Sequence, residues 1–135
     1  MKKSIKGDLL MNKKKILIVD DDKDLLRALH IRFKANNYDV ISAIDAYMAT
    51  KMIRDEKPDL IILDIGLPMG DGFLVMDRLK DLFPANMAPI IMLTGRDPEA
   101  NKERALKAGA FAFFQKPADN EALLTAVRKA LGESE

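Results

Sequence analysis

The chain has 135 residues, enough for one domain with one sizeable core and too few for a second of ordinary size. Its 22 Lys and Arg against 21 Asp and Glu give a formal charge of +1, which excludes the global basic field of a generic nucleic-acid binder, and 48% hydrophobic residues exclude an acidic disordered chain. Cysteine and tryptophan are absent and His30 is the one histidine, which excludes disulfides, thiolate or histidine-rich metal sites, and cysteine nucleophiles.

No apolar run approaches the roughly 20 residues of a membrane span. The basic start, residues 1–7, lacks the apolar stretch of a secretory signal, so a soluble intracellular chain is expected. Residues 1–13 fit no element and read as a tail, native or added, with Met11 as an alternative start. The domain is expected over 14–131, with a C-terminal tail at 132–135.

The first element is a continuous apolar run, Lys15 to Val19, ending in Asp20-Asp21-Asp22, which suits a strand buried on both faces. Leu25, Leu26, Leu29 and Phe33 then recur at helical spacing, up to Asn36-Asn37. Tyr38 to Ala43 alternates more and reads as a strand near an edge. Asp45 can cap a helix with Ala46, Ala49, Met52 and Ile53 inward, broken by Pro58. Leu60 to Asp64 is a third buried strand, and Gly66 to Gly72 is a loop by composition. Phe73, Met76, Leu79 and Leu82 mark a third helix, stopped by Pro84. Pro89 to Thr94 is a fourth strand. Asp97-Pro98 starts a helix that runs to Ala108 and stops at Gly109. Phe111 to Phe114 is a fifth strand, and Asp119 caps a last helix through Leu123, Leu124, Val127 and Leu131.

Five successive strand–helix units predict an α/β doubly wound parallel sheet, five strands in order 2-1-3-4-5 with five helices, flavodoxin-like. Asp22, Asp45, Asp71, Asp97 and Asp119 read as helix caps. The eight methionines read as core filler, and His30 as a helix-surface residue without a role. Phe111 and Phe113 share one strand face opposite Phe114, which predicts a partly exposed aromatic patch beside the last two helices.

The polar residues at strand ends carry the chemistry. Asp20-Asp21, Asp64, Thr94 and Lys116 all fall at carboxyl ends of predicted parallel strands, where ligands sit in open α/β sheets. Carboxylates converging on one crevice call for raised pKa values or a bound divalent cation. An all-oxygen donor set favours Mg²⁺, with Mn²⁺ as a substitute, over zinc. A cation, an ammonium and a hydroxyl suit a phosphoryl group, and a carboxylate such as Asp64 can act as its nucleophile.

These residues resemble the response-regulator receiver domains of two-component phosphorelays, over about residues 14–131. The likeness rests on Ile16 to Asp22, on Pro58 to Asp64 with Leu67-Pro68 and Asp71-Gly72, on Leu93-Thr94-Gly95, on Ala108-Gly109-Ala110 and on Lys116-Pro117. It implies that Asp64 accepts phosphate from a sensor histidine kinase or histidine phosphotransfer protein. It implies Mg²⁺ held by Asp20, Asp21, Asp64 and the Gly66 carbonyl, with Asp21 direct and Asp20 through water. Lys116 would bind a phosphoryl oxygen, Thr94 beside Gly95 would move toward it, and Phe113 would follow as the switch aromatic. Pro117 would follow a cis peptide bond, and Gly66 and Arg96 would tune hydrolysis.

The expected output is a changed surface made by the fourth helix, fifth strand and fifth helix. That surface would control a partner or an output domain, or serve a homodimer, with no direct nucleic-acid or membrane binding. Several positions depart from the family pattern. Phe113 replaces a common tyrosine and lacks its hydroxyl, and Ala118 stands where phenylalanine is frequent. Ala126 replaces an arginine of a winged-helix DNA-binding subfamily, which counts weakly against that subfamily.

Two alternatives compete. One is a receiver-like interaction module that is never phosphorylated. The other is an aspartate-nucleophile phosphatase, which needs a leaving-group acid two residues after the nucleophile, where this chain has Gly66. A dinucleotide-binding domain is weaker, because no Gly-x-Gly-x-x-Gly follows the first strand.

Overall fold

A computed structural model describes residues 13–68, 70–82 and 88–133. The elements are β1 (Lys15–Val19), α1 (Lys23–Ala35), β2 (Asp39–Ala43), α2 (Ala46–Glu56), β3 (Leu60–Leu63), α3 (Gly72–Leu82), β4 (Ile90–Thr94), α4 (Pro98–Lys107), β5 (Ala112–Gln115) and α5 (Asn120–Ala130). All strand pairs are parallel, in the order β2-β1-β3-β4-β5. The chain steps from β1 outward to β2, then returns across β1 to β3. That reversal opens a crevice beyond the carboxyl ends of β1 and β3.

Alternate strand residues feed two cores because side chains point to opposite faces with period two. Leu17, Val19, Ile61, Leu63 and Met92 pack against α2, α3 and α4 through Ala49, Ile53, Phe73, Met76 and Ala105. Ile16, Ile18, Ile62, Ile91 and Leu93 pack against α1 and α5 through Leu29, Phe33, Leu123, Leu124 and Val127. The three inner strands are buried at every apolar position, as their unbroken apolar runs require. The edge strand β2 is only partly covered: Asp39 and Ser42 are exposed, Val40 and Ile41 half-buried, and Ala43 alone is buried.

The five aspartates read as caps all act as caps. Asp22 accepts from the Asp24 and Leu25 N–H groups, Asp45 from Met48, Asp71 from Leu74, Asp97 from Glu99 and Asp119 from Ala122. Each bond satisfies a donor that the first helical turn leaves open.

Three details differ from expectation. β5 begins at Ala112, one residue late; the Phe111 N–H still bonds Ile90 O at 2.7 Å, but its side chain is 47% exposed. Phe113 packs half-buried against the α2–α3–α4 core and Phe114 against the α1–α5 core, so the exposed aromatic surface is mainly Phe111. Leu82 ends α3 57% exposed, since its position in the last turn carries it past the sheet. The tail reading of residues 1–12 and the stop at Pro84 lie outside the described residues.

Candidate functional site

The crevice gathers the strand-end residues in one place. Asp20 follows β1 and its N–H bonds Ala43 O at 3.0 Å; Asp64 follows β3 and bonds Val19 O at 3.0 Å. The sheet ladder thus continues one residue past each strand and fixes both carboxylates side by side. Asp20 is 2% exposed and Asp64 7%, whereas Asp21 is exposed. Carboxylate oxygens of Asp20, Asp21 and Asp64 lie within 4.8 Å of one another.

Lys116 reaches this cluster from the end of β5. Its N–H bonds Thr94 O at 2.8 Å, and the Lys116–Pro117 peptide is cis. Lys116 Nζ lies 2.7 Å from Asp20 Oδ2 and 3.3 Å from Asp64 Oδ2. Burial pushes the Asp20 carboxyl above its ordinary pKa, against hydrogen bonds from Lys116 and the Asp22 N–H, and the Asp64 charge adds to the rise. Burial pulls the Lys116 ammonium down, but the bond and charge of Asp20, joined by Asp64, outweigh it and leave its pKa raised.

The opposite wall is Thr94, fully buried, whose Oγ1 accepts from the Arg96 N–H at 3.2 Å. Asp64, Gly66, Thr94, Gly95, Arg96 and Lys116 line an open cavity of about 340 Å³. The Gly66 N–H donates to Asp64 Oδ1 at 3.2 Å. A Cβ at Gly66 would lie 3.1 Å from Arg96 Nε, so the missing side chain lets the guanidinium lie over the loop beside Asp64. A Cβ at Gly95 would meet nothing within 4 Å, so this side of the cavity faces open space. Phe113 is not among the residues lining the cavity.

Two features escaped the sequence reading. Gly72 closes the first turn of α3 onto the loop after Asp64: its N–H bonds Ile65 O at 2.9 Å, and a Cβ there would stand 2.4 Å from Asp64 O. The Asp71-Gly72 pair signalled a turn but not this approach. The Arg104 guanidinium carbon sits 3.8 Å from the centroid of the Phe73 ring, a contact between α4 and α3 with no signature in either segment.

The donor set fits a hard cation: three carboxylates, with no histidine or cysteine among the grouped residues. Chemically, the crevice offers one nucleophilic carboxylate flanked by an ammonium and a hydroxyl, open to solvent on one side.

A family model described as the response regulator receiver domain matches residues 16–128. Over 122 residues the chain is 39% identical to the alkaline phosphatase synthesis transcriptional regulatory protein PhoP of Bacillus subtilis (strain 168), covering 90% of this chain and 50% of that protein. The chain therefore spans about half the length of that curated relative. It superposes with a TM-score of 0.82 on a CheY-like response regulator receiver domain protein from Methanospirillum hungatei JF-1, at 31% identity over 90% of this chain and 95% of that one. It superposes with a TM-score of 0.80 on the BeF3-activated N-terminal receiver domain of Klebsiella pneumoniae RstA, at 30% identity over 87% of this chain and 98% of that one. By sequence along most of its length and by fold, the chain belongs to the response-regulator receiver domains of two-component signalling.

Proposed function

We propose that this domain is a phosphorylation-controlled switch with Asp64 as phosphoacceptor. The observation that carries the reading is the pairing of Lys116 with Asp64 at 3.3 Å across a cavity whose other wall is Thr94. An Asp64 carboxylate oxygen attacks the phosphorus of a phosphohistidine on a sensor kinase or phosphotransfer protein. The P–N bond breaks, the imidazole leaves, and an acyl phosphate forms on Asp64.

Asp20, Asp21, Asp64 and the Gly66 carbonyl would hold Mg²⁺, or Mn²⁺ in its place. When bound, the ion supplies positive charge that offsets the carboxylates and the incoming phosphoryl oxygens. Lys116 exchanges a carboxylate partner for a phosphoryl oxygen, and the Thr94 hydroxyl donates to another. Arg96, lying over Gly66, restricts the approach of water and tunes hydrolysis together with that glycine. Gly66 also leaves no acid to protonate a leaving group, so turnover on outside phosphomonoesters is not expected and the role is regulatory.

Movement of Thr94, with Phe113 following, alters the α4–β5–α5 surface. That surface acts on an output partner or a further domain, or pairs two copies. The working unit is residues 14–131 with 1–13 as a tail; Gly132 and Glu133, expected to be tail, instead extend the domain, their N–H groups bonding Lys129 O and Arg128 O and the Glu133 carboxylate accepting from the Tyr38 hydroxyl. A cytoplasmic location fits this reading, and no helix among the described residues is long and apolar enough to cross a membrane.

Incubation with a small acyl-phosphate donor and Mg²⁺ should add the mass of one phosphoryl group, and Asp64→Asn should abolish the gain. A gain undiminished in Asp64→Asn overturns the assignment of the acceptor. No gain in the parent protein favours an unphosphorylated interaction module.

A further inference from the structure

α4 is the most weakly held helix of the domain. Of its ten residues only Ala105 is buried, against three each in α2 and α5 and five in α3. Its remaining hold on the α3 side is Arg104, whose guanidinium stacks on Phe73 at 3.8 Å. Among the described residues Arg104 makes no ion pair or side-chain hydrogen bond. The neighbouring pair Glu103–Lys107 runs along α4 itself and ties it to nothing else. Phe73 is 5% exposed and directly follows Gly72, which is sealed onto the Asp64 and Ile65 backbone. An unbroken chain of contacts therefore runs from α4 through Arg104, Phe73 and Gly72 to the acceptor loop.

The other end of α4 is joined to the site as well. Thr94 Oγ1 accepts from the Arg96 N–H, and Asp97 caps α4 immediately afterwards. Turning the Thr94 hydroxyl toward a group bound at Asp64 would break its bond from the Arg96 N–H and so disturb the turn that leads into the Asp97 cap of α4. The Arg104–Phe73 contact resists displacement of α4, because a cation held over one ring face loses its attraction as the helix slides away.

We infer that Arg104 is a positioning residue: its stack on Phe73 latches α4 against the acceptor loop and opposes the rearrangement that accompanies occupation of the phosphoryl pocket. The inference rests on the phosphoacceptor reading above. Releasing the latch costs the rearranged form nothing and removes stabilisation from the form seen here, so pocket affinity rises as the population shifts.

The test compares the parent, Arg104→Met, Arg104→Lys, Phe73→Leu and the Arg104→Met/Phe73→Leu double variant. Beryllofluoride with Mg²⁺ serves as the phosphoryl mimic, and amide hydrogen exchange in α4 is measured without either. Arg104→Met should bind beryllofluoride about two- to fivefold more tightly and exchange faster in α4 by a similar factor. Arg104→Lys, which keeps the cation, should recover most of the parent behaviour. The double variant should gain no more than Arg104→Met alone, because both remove one interaction. Should Phe73→Leu unfold, the Met and Lys variants decide the matter, since Arg104 is exposed. Unchanged or weaker affinity in Arg104→Met overturns the latch while leaving the acceptor assignment intact. If the parent fails to bind beryllofluoride, the acceptor reading falls and the latch falls with it.

Discussion

Tyr38 stands just before β2, at the end of the sheet away from the crevice. Its ring is 4% exposed and meets Phe33 edge-on, with centroids 6.3 Å apart and planes at 81°. Burial of a hydroxyl is tolerable only with a partner, and the Tyr38 hydroxyl donates to Glu133, beyond the end of α5. Burial, the hydrogen bond to Glu133 and its charge push the Tyr38 pKa up to about 12, with Arg128 opposing. The folded state therefore holds this proton more tightly than the unfolded chain does. The resulting stability is complete below about pH 10 and is lost as pH rises toward 12, a span worth about 2–3 kcal/mol. Tyr38→Phe should lower stability at pH 7 by about 1 kcal/mol through the lost hydrogen bond. The same variant should lose less stability than the parent between pH 10 and 12. Urea unfolding at both ends of that range checks the pair of outcomes; equal alkaline losses in the two proteins would refute the assignment.

Among the elements, α4 and α5 make an instructive contrast. Both are capped by an aspartate, Asp97 and Asp119, but α5 buries Leu123, Leu124 and Val127 whereas α4 buries Ala105 alone. Loss of a cap costs about 1 kcal/mol in either helix, but where that cost is felt depends on packing. Asp119→Ala should lower the global melting temperature by about 3–5 °C, because α5 opens only with the core. Asp97→Ala should speed amide exchange across α4 about fivefold and move the melting temperature far less, because α4 opens by itself. Hydrogen exchange beside calorimetry separates the two; a global shift as large for Asp97→Ala would show that α4 is part of the main cooperative unit. The caps themselves were legible because cap chemistry is local: an oxygen and an N–H two or three residues on. The β5 register and the exposure of Leu82 were not, because both depend on where the neighbouring strand and helix end rather than on the segment's own pattern. Phe111 carries the strongest apolar signal at the start of its run yet lies outside β5, where no helix covers it.

For the molecule as a whole, a formal charge of +1 conceals a concentrated acidic end. Asp20, Asp21, Asp64, Thr94 and Lys116 were readable as one site, since parallel strands deliver their carboxyl ends to one edge whatever their spacing in sequence. Their internal balance was not readable: that Lys116 sits closest to Asp20, at 2.7 Å, depends on three-dimensional burial. Burial raises the Asp20 pKa and the Asp64 charge adds to the rise, so folding works against the ionised Asp20 carboxylate despite its Lys116 partner. A neutral isostere should relieve that penalty. Asn at position 20 can still accept from the Asp22 N–H, the bond that Asp20 Oδ1 makes at 2.9 Å, and Lys116 keeps Asp64. Asp20→Asn should therefore raise stability at pH 7 without divalent cations by about 1 kcal/mol. The parent should close that gap as Mg²⁺ is added, because binding to the folded state stabilises it by mass action, about 2.7 kcal/mol at a hundredfold excess over the dissociation constant. The variant should show little of that gain. Thermal melts across a Mg²⁺ titration read both effects at once. An Asp20→Asn protein that is less stable than the parent without Mg²⁺ would mean the Lys116 pair wins over desolvation. Equal Mg²⁺ gains in both proteins would remove Asp20 from the cation site.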